Sequence, residues 1–314
     1  MRKILVTGGA GFIGSCLAEK LMQDKENEVV VVDNLLTGHL QKLPEPAPNF
    51  RFIKADVNNR NEISEIMMSY RFDYVFHYAA VVGVELTTSN PVTVLNDLNG
   101  LRNIVELSKN TGVKRIYYSS SSEIYGEPVE FPQHEDTTPL NSRLPYAIVK
   151  NAGEAFLKSY NREFGLEYTI FRFFNTYGHK QSRHFVISRF ITLAKTGKEI
   201  TIYGDGTQTR TFCYIDDNIN ATLNAFYNNM FINEVVNIGD DKETTINELA
   251  AIIKKLTGSR SKIVHLPPLP EGDMHGRRPD VSKMNVLLSE PRISLEDGLR
   301  KVLDMGLFEL KILG

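Results

Sequence analysis

Tyr146 and Lys150 stand four residues apart in YAIVK, a spacing that sets a phenol and an amine on one face of a helix. An ammonium beside a phenol favours the phenolate and lowers its pKa from about 10 towards working pH. A tyrosinate poised in this way can take a proton from a sugar or alcohol hydroxyl while hydride leaves the same carbon. Such a pair is common on protein surfaces, and its weight comes from three features upstream. These are a glycine turn suited to phosphate, an acid closing the second strand, and Ser121-Ser122-Glu123. Together they predict a dinucleotide-dependent enzyme.

The elements that must position these groups follow from apolar runs and their spacing. Residues 3–7 (KILVT) read as a strand buried on both faces, and GGAGFIG follows at once. Gly9, Gly11 and Gly14 fit G-x-G-x-x-G, and Gly8, Gly11 and Gly14 fit a second, G-x-x-G-x-x-G spacing. Glycines there serve a tight turn, close approach of backbone to pyrophosphate, and close packing of helix on strand. The helix that follows keeps Ile13, Leu17 and Leu21 on one face, and its first N–H groups, around Phe12 and Ile13, are suited to phosphate. A second run, 29–32, ends at Asp33, about 20 residues past the last glycine, where a carboxylate can accept both ribose hydroxyls of NAD. A 2′-phosphate would meet like charge there, so NAD is expected over NADP. Asn34 opens the next turn.

A third strand at 50–53 delivers Asp56 and Val57 to the adenine side, and a fourth at 74–78 ends in Ala79-Ala80, small enough for close approach of a cofactor. One long helix is expected over 91–109, with Leu98, Leu101, Ile104, Val105 and Leu107 as its apolar positions. The fifth strand, 115–119, leads into Ser120–Glu123 at the edge where open α/β sheets bind ligands. Ser121 and Glu123 are two apart, so in an extended segment both side chains project to one side. The helix of Tyr146 and Lys150 is expected over 145–162, and a sixth strand over 168–174. Strands alternating with helices in this way predict an α/β fold with a doubly wound parallel sheet.

From Asn175 onward the chain turns polar, with helices expected at 186–195, 217–228, 246–256 and 295–305 and short strands at 200–203 and 235–238. Arg210 lies in a polar loop suited to a diphosphate charge, and Arg277 lies in GDMHGRRPD. The expected division is an NAD-binding Rossmann domain over 1–174, with 212–238 returning to it. A smaller, discontinuous α/β substrate lobe takes 175–211 and 239–314. The 314 residues are 42% hydrophobic and 24% charged with a net charge of -2, which fits a globular protein and gives no reason to expect nucleic acid or a membrane as partner. Cys16 and Cys213 are too few for a disulfide framework or a metal cluster, so no metal is expected. With no secretory signal or membrane span read in the chain, a reduced, cytoplasmic protein is expected.

TGGAGFIG, VVDNLLTG, SSSSEIYG, YAIVK, RFFNTYG, GDGTQTRTFCYIDD and RRPD occur in family order, and over nearly its whole length the chain resembles the extended short-chain dehydrogenase/reductase family. Within it the chain is most similar to the nucleotide-sugar epimerase/dehydratase/decarboxylase branch. The resemblance implies NAD that stays bound through turnover, Tyr146 as base, Lys150 orienting the nicotinamide ribose and Ser121 bonded to the sugar 4-hydroxyl. It implies Phe173 near the nicotinamide, Asn175 on the substrate phosphate or sugar, Arg210 on the diphosphate, and Arg277 holding a carboxylate or donating a proton. It also implies a homodimer paired through the helices after Pro91 and around Tyr146. Asp97 stands where that branch more often carries Asn.

Chemistry in the branch begins by oxidising carbon 4 of a nucleotide-diphosphate sugar. The ketone then loses a neighbouring carboxylate, eliminates the 6-hydroxyl, or is reduced from its other face. Ser-Ser-Glu-Ile-Tyr-Gly resembles the decarboxylases and one-acid 4,6-dehydratases, and GDGTQTRTFCYIDD with RRPDV resembles UDP-glucuronate decarboxylases. Glu123 is thus the candidate for the second step. A 4-epimerase, which needs no further base, is the alternative, and a non-catalytic NAD-binding protein is the alternative of another class.

Overall fold

Uninterrupted apolar runs leave no polar face for solvent, so they form strands covered on both sides. The computed structural model describes residues 1–83, 87, 89–268 and 276–308. In it β1 (Arg2–Thr7) pairs in parallel with β2 (Asn27–Asp33), and β2 with β3 (Phe50–Lys54). On its other side β1 pairs with β4 (Tyr74–His77), which leads through β5 (Arg115–Ser121) to β6 (Glu167–Phe173), all parallel. The chain therefore runs outward from β1 in one direction and then restarts beside it in the other. That reversal opens a crevice at the carboxyl ends of β1 and β4.

The intervening helices are α1 (Phe12–Leu21), α2 (Arg60–Tyr70), α3 (Pro91–Leu95), α4 (Asp97–Thr111) and α5 (Pro145–Phe164). Residues of α2, α4 and α5, among them Ile63, Met67, Ile104 and Leu157, share one buried cluster with Leu5, Val30 and Ile116 of the sheet. The opposite face is aromatic: Phe76 stacks on Tyr117 at 4.5 Å, and Phe226 meets both edge-on. The single helix expected over 91–109 is interrupted at Asn96, whose φ of -62° stays helical, so the break is one of hydrogen bonding rather than direction. Leu101, Ile104, Val105 and Leu107 are buried, while Leu98 packs instead on Val81, Val94 and Val149.

Contacts divide the chain into two units, 1–126 with 140–173 and 222–236, and 127–139 with 174–221 and 237–314. Two stretches fall on the other side of the expected boundaries. Gln133 bridges Pro279, and Glu135 accepts the Asn237 N–H at 2.8 Å, which ties 127–139 to the second unit. Residues 212–221 belong there too, because β10 (Cys213–Tyr214) pairs with β7 (Thr176–Tyr177) and Asn218 bonds Thr176. The second unit also holds α6 (Val186–Lys195), β8 (Ile200–Tyr203), β9 (Thr209–Thr211), β12 (Glu243–Thr245), α8 (Ile246–Thr257) and β13 (Ile263–Leu266). Thr245 and Glu248 form a reciprocal capping box that starts α8. The helix α7 (Ile215–Tyr227) is divided between the units, and β11 (Glu234–Ile238) completes a seven-stranded sheet of order β11-β6-β5-β4-β1-β2-β3. Among the described residues no helix is long and apolar enough to cross a membrane.

Candidate active site

The carboxyl end of β1 turns at Gly8, whose φ of 69° lies in the left-handed region that favours glycine. A Cβ on Gly8 would stand 2.6 Å from Ala79 N, so the turn touches the backbone beyond β4. Gly14 serves a different contact, since its Cβ would stand 2.4 Å from Gly8 O. Gly11 is the N-cap residue of α1, and the first helical residues, Phe12 and Ile13, carry N–H groups that no helical carbonyl can reach. A glycine-rich turn that ends in N–H groups left over by the helix and in a positive helix end fits a pyrophosphate.

Asp33 closes β2 with both carboxylate oxygens engaged: Oδ2 accepts the Ala10 N–H at 2.9 Å and Oδ1 the Leu35 N–H at 2.8 Å. Burial raises its pKa, against the pull of those two N–H groups and of Lys42. Asn34 Nδ2 donates to Asp56 Oδ2 at 3.2 Å, joining the turns after β2 and β3, and the buried Val57 offers its carbonyl to Asn103 at 2.9 Å. After β4, the Tyr78 and Ala79 N–H groups both donate to Thr7 Oγ1 at 3.2 Å. That leaves the Thr7 hydroxyl proton for His77 Nδ1 at 2.8 Å, with His77 kept neutral by burial and by the Lys150 charge, its pKa pushed down to about 3. The proposed cofactor residues from Gly8 to Ala80 are thus gathered at the carboxyl ends of four adjacent strands. They suit a dinucleotide in shape and in donors.

Tyr146 and Lys150 lie in the first two turns of α5, which starts at Pro145. Lys150 is buried, and its Nζ donates to Ser119 O at 2.6 Å and to Ser119 Oγ at 3.3 Å. The ammonium stands 5.7 Å from the Tyr146 ring centre and 5.1 Å from that of Tyr118. Burial lowers the Lys150 pKa to about 8, and Asp97 opposes the fall. α5 can come this close to β5 because Gly153 has no Cβ; one there would stand 2.2 Å from the Tyr118 hydroxyl. One turn beyond Lys150, buried Glu154 takes two bonds from Arg172, at 2.9 and 2.8 Å, and one from Ser120 at 2.7 Å. Burial works against the charged form of Glu154, but Arg172 outweighs it and the pKa falls. This ion pair locks α5 to β5 and β6, the elements that present the remaining candidates.

Ser121 and Phe173 are register partners at the ends of β5 and β6. Phe173 meets Tyr78 edge-on at 5.6 Å and lies parallel to Phe171. β5 runs two residues further than expected, to Ser121, and residues 122–125 form a 3-10 turn rather than an extended segment. Ser121 caps that turn, its Oγ accepting the Glu123 N–H at 3.2 Å. The alternation that would throw Ser121 and Glu123 to one side therefore does not apply. What joins them is the cap, which sets the half-buried Glu123 directly beyond the Ser121 hydroxyl.

In the second unit, Asn175 adopts φ 28°, unusual for a residue with a side chain, and its Nδ2 donates to Thr211 O at 3.0 Å. Arg210 lies on β9 opposite Thr244 and donates to Thr209 O at 2.7 Å. Arg277 is buried; residues 272–275 of its motif lie outside the described residues. Ser119, which holds Lys150, and His77, which lies below it, were hidden in the sequence inside a serine run and an apolar strand. Their only signal is position at the ends of β5 and β4.

The description "NAD dependent epimerase/dehydratase family" matches residues 4–239. A putative UDP-glucose 4-epimerase of Methanocaldococcus jannaschii is 37% identical over 307 residues, covering 96% of this chain and 97% of that protein. UDP-glucuronic acid decarboxylase 1 of Danio rerio is 37% identical over 320 residues, covering 99% of this chain and 74% of the relative. Among solved structures, a Thermotoga maritima UDP-glucose 4-epimerase with UDP-glucose superposes with a TM-score of 0.90 at 35% identity, covering 99% of this chain and 100% of the other. With its glycine cradle, its parallel sheet and these relatives, the chain belongs to the NAD-dependent epimerase/dehydratase family, and its cofactor is NAD.

Proposed function

We propose that this enzyme oxidises carbon 4 of a nucleotide-diphosphate sugar and then decarboxylates it, with UDP-glucuronate as the first substrate to test. The observation that carries the reading is the capped turn that sets Glu123 beside Ser121, at the end of the strand whose Ser119 holds Lys150. The glycine turn, Asp33, Asn34, Asp56, Val57, Ala79 and Ala80 would hold NAD, which supplies a two-electron acceptor to carbon 4 and later returns the pair. Tyr146 takes the 4-hydroxyl proton, Ser121 holds that oxygen, and Lys150 keeps the phenolate favourable. With carbon 4 a ketone, the bond from carbon 5 to the carboxylate breaks, its electrons pass to the enolate and carbon dioxide leaves. Glu123 manages the proton that returns to carbon 5. Asn175, Arg210 and Arg277 are assigned, by the likeness of their motifs, to the phosphate, the diphosphate and the carboxylate of the substrate.

The second reading is a 4-epimerase, favoured by the names of the Methanocaldococcus and Thermotoga proteins. Glu123→Gln separates the two. In a decarboxylase, or in the 4,6-dehydratase that shares this acid, the variant still reduces bound NAD but stalls at the 4-keto sugar. A variant that yields an equal-mass isomer at the wild-type rate would establish the epimerase instead.

The same reading takes the protein as a homodimer. Leu101 and Val105 are committed to the core, so the pairing surface falls to Val92, Leu95 and Ile148, which are exposed on α3 and α5. The buried thiols of Cys16 and Cys213 fit a reducing cytoplasm.

A further inference from the structure

The family reading gives Asp97 no task. Asp97 opens α4, and its Oδ2 accepts the Val81 N–H at 2.7 Å. Val81 directly follows Ala79-Ala80, so the carboxylate fixes the backbone just past the fourth strand. Its Oδ1 receives Asn58 Nδ2 at 3.4 Å, and Asn58 Oδ1 in turn accepts the Gly100 N–H at 2.8 Å. A Cβ on Gly100 would stand 2.7 Å from that Asn58 oxygen, so α4 approaches the Asp56–Asn58 turn as closely as a helix can. Asp97 therefore joins three segments: the start of α4, the turn after β3, and the backbone after β4. The last two carry the proposed cofactor residues Asp56, Val57, Ala79 and Ala80.

An asparagine would serve the Val81 N–H equally well, because its side-chain oxygen accepts in the same place. What Asp97 adds is charge. Val81 shares one buried cluster with Val94 and with Val149, whose chain neighbour Lys150 carries the buried ammonium, and Leu98 and Tyr146 pack on that cluster. Around that ammonium the described residues supply neutral partners on most sides: Ser119 and Tyr118 from β5, neutral His77 from β4, and Tyr146 from its own helix. Glu154 is committed to Arg172. Asp56 accepts from Asn34 on the turn after β2. Asp97 is the carboxylate whose charge opposes the desolvation of Lys150.

We propose that Asp97 is a positioning residue with two tasks, holding the backbone after the fourth strand for the cofactor and supplying the counter-charge of Lys150. The second task rests on the functional reading above; the first does not. Its sign is fixed. Removing the carboxylate takes away a charge that raises the Lys150 pKa, so the ammonium is lost at lower pH than in the parent enzyme.

Asp97→Asn and Asp97→Ala divide the two tasks. NAD affinity is measured by calorimetry across pH, alongside melting temperature and the pH profile of NADH appearance in a single turnover with sugar nucleotide. Asp97→Asn is expected to bind NAD at neutral pH within about threefold of the parent, since the hydrogen bond to Val81 survives. Its alkaline limb, in both NAD binding and NADH appearance, moves to lower pH by about one unit. Asp97→Ala is expected to lose about tenfold in NAD affinity at every pH, because the Val81 N–H is left without its acceptor. An Asn variant with the parental pH profile overturns the counter-charge, and an Ala variant with parental NAD affinity overturns the backbone role. Were the parent to give no NADH signal with any sugar nucleotide, the functional reading would fail while the NAD-binding arms still tested Asp97.

Discussion

Lys150 and Glu123 attend the same strand end in opposite ways. Lys150 is buried below the carboxyl end of β5, bonded to Ser119 and fixed by a helix that the Glu154–Arg172 pair ties to the sheet. Glu123 lies past that end, half-buried in a 3-10 turn that Ser121 caps and that Ser142 and Arg172 also bond, at Ile124 O and the Tyr125 hydroxyl. The lesson is one of division. The proposed oxidation at carbon 4 needs a phenol, an ammonium and a cofactor in fixed register, and the packing around Lys150 suits that need. In the proposed mechanism the fate of the ketone falls to a half-buried residue on a turn, and turns carry function on a rigid scaffold.

The sharpest way to break this contrast is at the packed side. Tyr146→Phe keeps the ring in its place beside Val81 and Val149 and removes only the proton acceptor. Single-turnover NADH appearance should fall by about 10²–10⁴, the range of general-base catalysis. A rate near that of the parent would take Tyr146 out of the first step. Next comes Gly8→Ala, which sets a Cβ 2.6 Å from Ala79 N at a φ of 69°. The left-handed backbone alone costs about 1–2 kcal/mol, so NAD affinity by calorimetry should drop about tenfold or more. Unchanged affinity would mean that the glycine turn does not bear on the cofactor.

A smaller effect is expected from pH. Burial holds the Lys150 pKa at about 8, so its ammonium is complete well below that pH and is lost as pH rises through it. The first step should therefore weaken on the alkaline side by several-fold, read from NADH appearance, while the Glu154–Arg172 lock stays charged and the fold intact. A rate flat from pH 7 to 10 would contradict the part given to Lys150.

Much of the packed side was legible in the sequence, and the reason is physical. Close backbone contact admits only glycine, so Gly8 and Gly14 mark their turn by residue type alone, and a strand covered on both faces must be an apolar run. The turn side was less legible. A run of four serines is compatible with strand or loop, so neither the extension of β5 to Ser121 nor the 3-10 turn after it could be read, and the alternation inferred for Ser121 and Glu123 failed there. Segment 127–139 groups with the second unit through Asn237 and Pro279, which lie far along the chain, and local pattern carries no trace of them. Glu154 and Arg172 look like ordinary surface charges until each is seen as the buried partner of the other.

The most direct measurement is incubation of the NAD-loaded protein with UDP-glucuronate, followed by mass spectrometry of the nucleotide product and trapping of released gas. A product lighter by one carbon dioxide, with no net accumulation of NADH, is the result predicted for a carbon-4 oxidation followed by a Glu123-dependent second step. Untouched UDP-glucuronate, together with conversion of UDP-glucose to an isomer of equal mass, would contradict it.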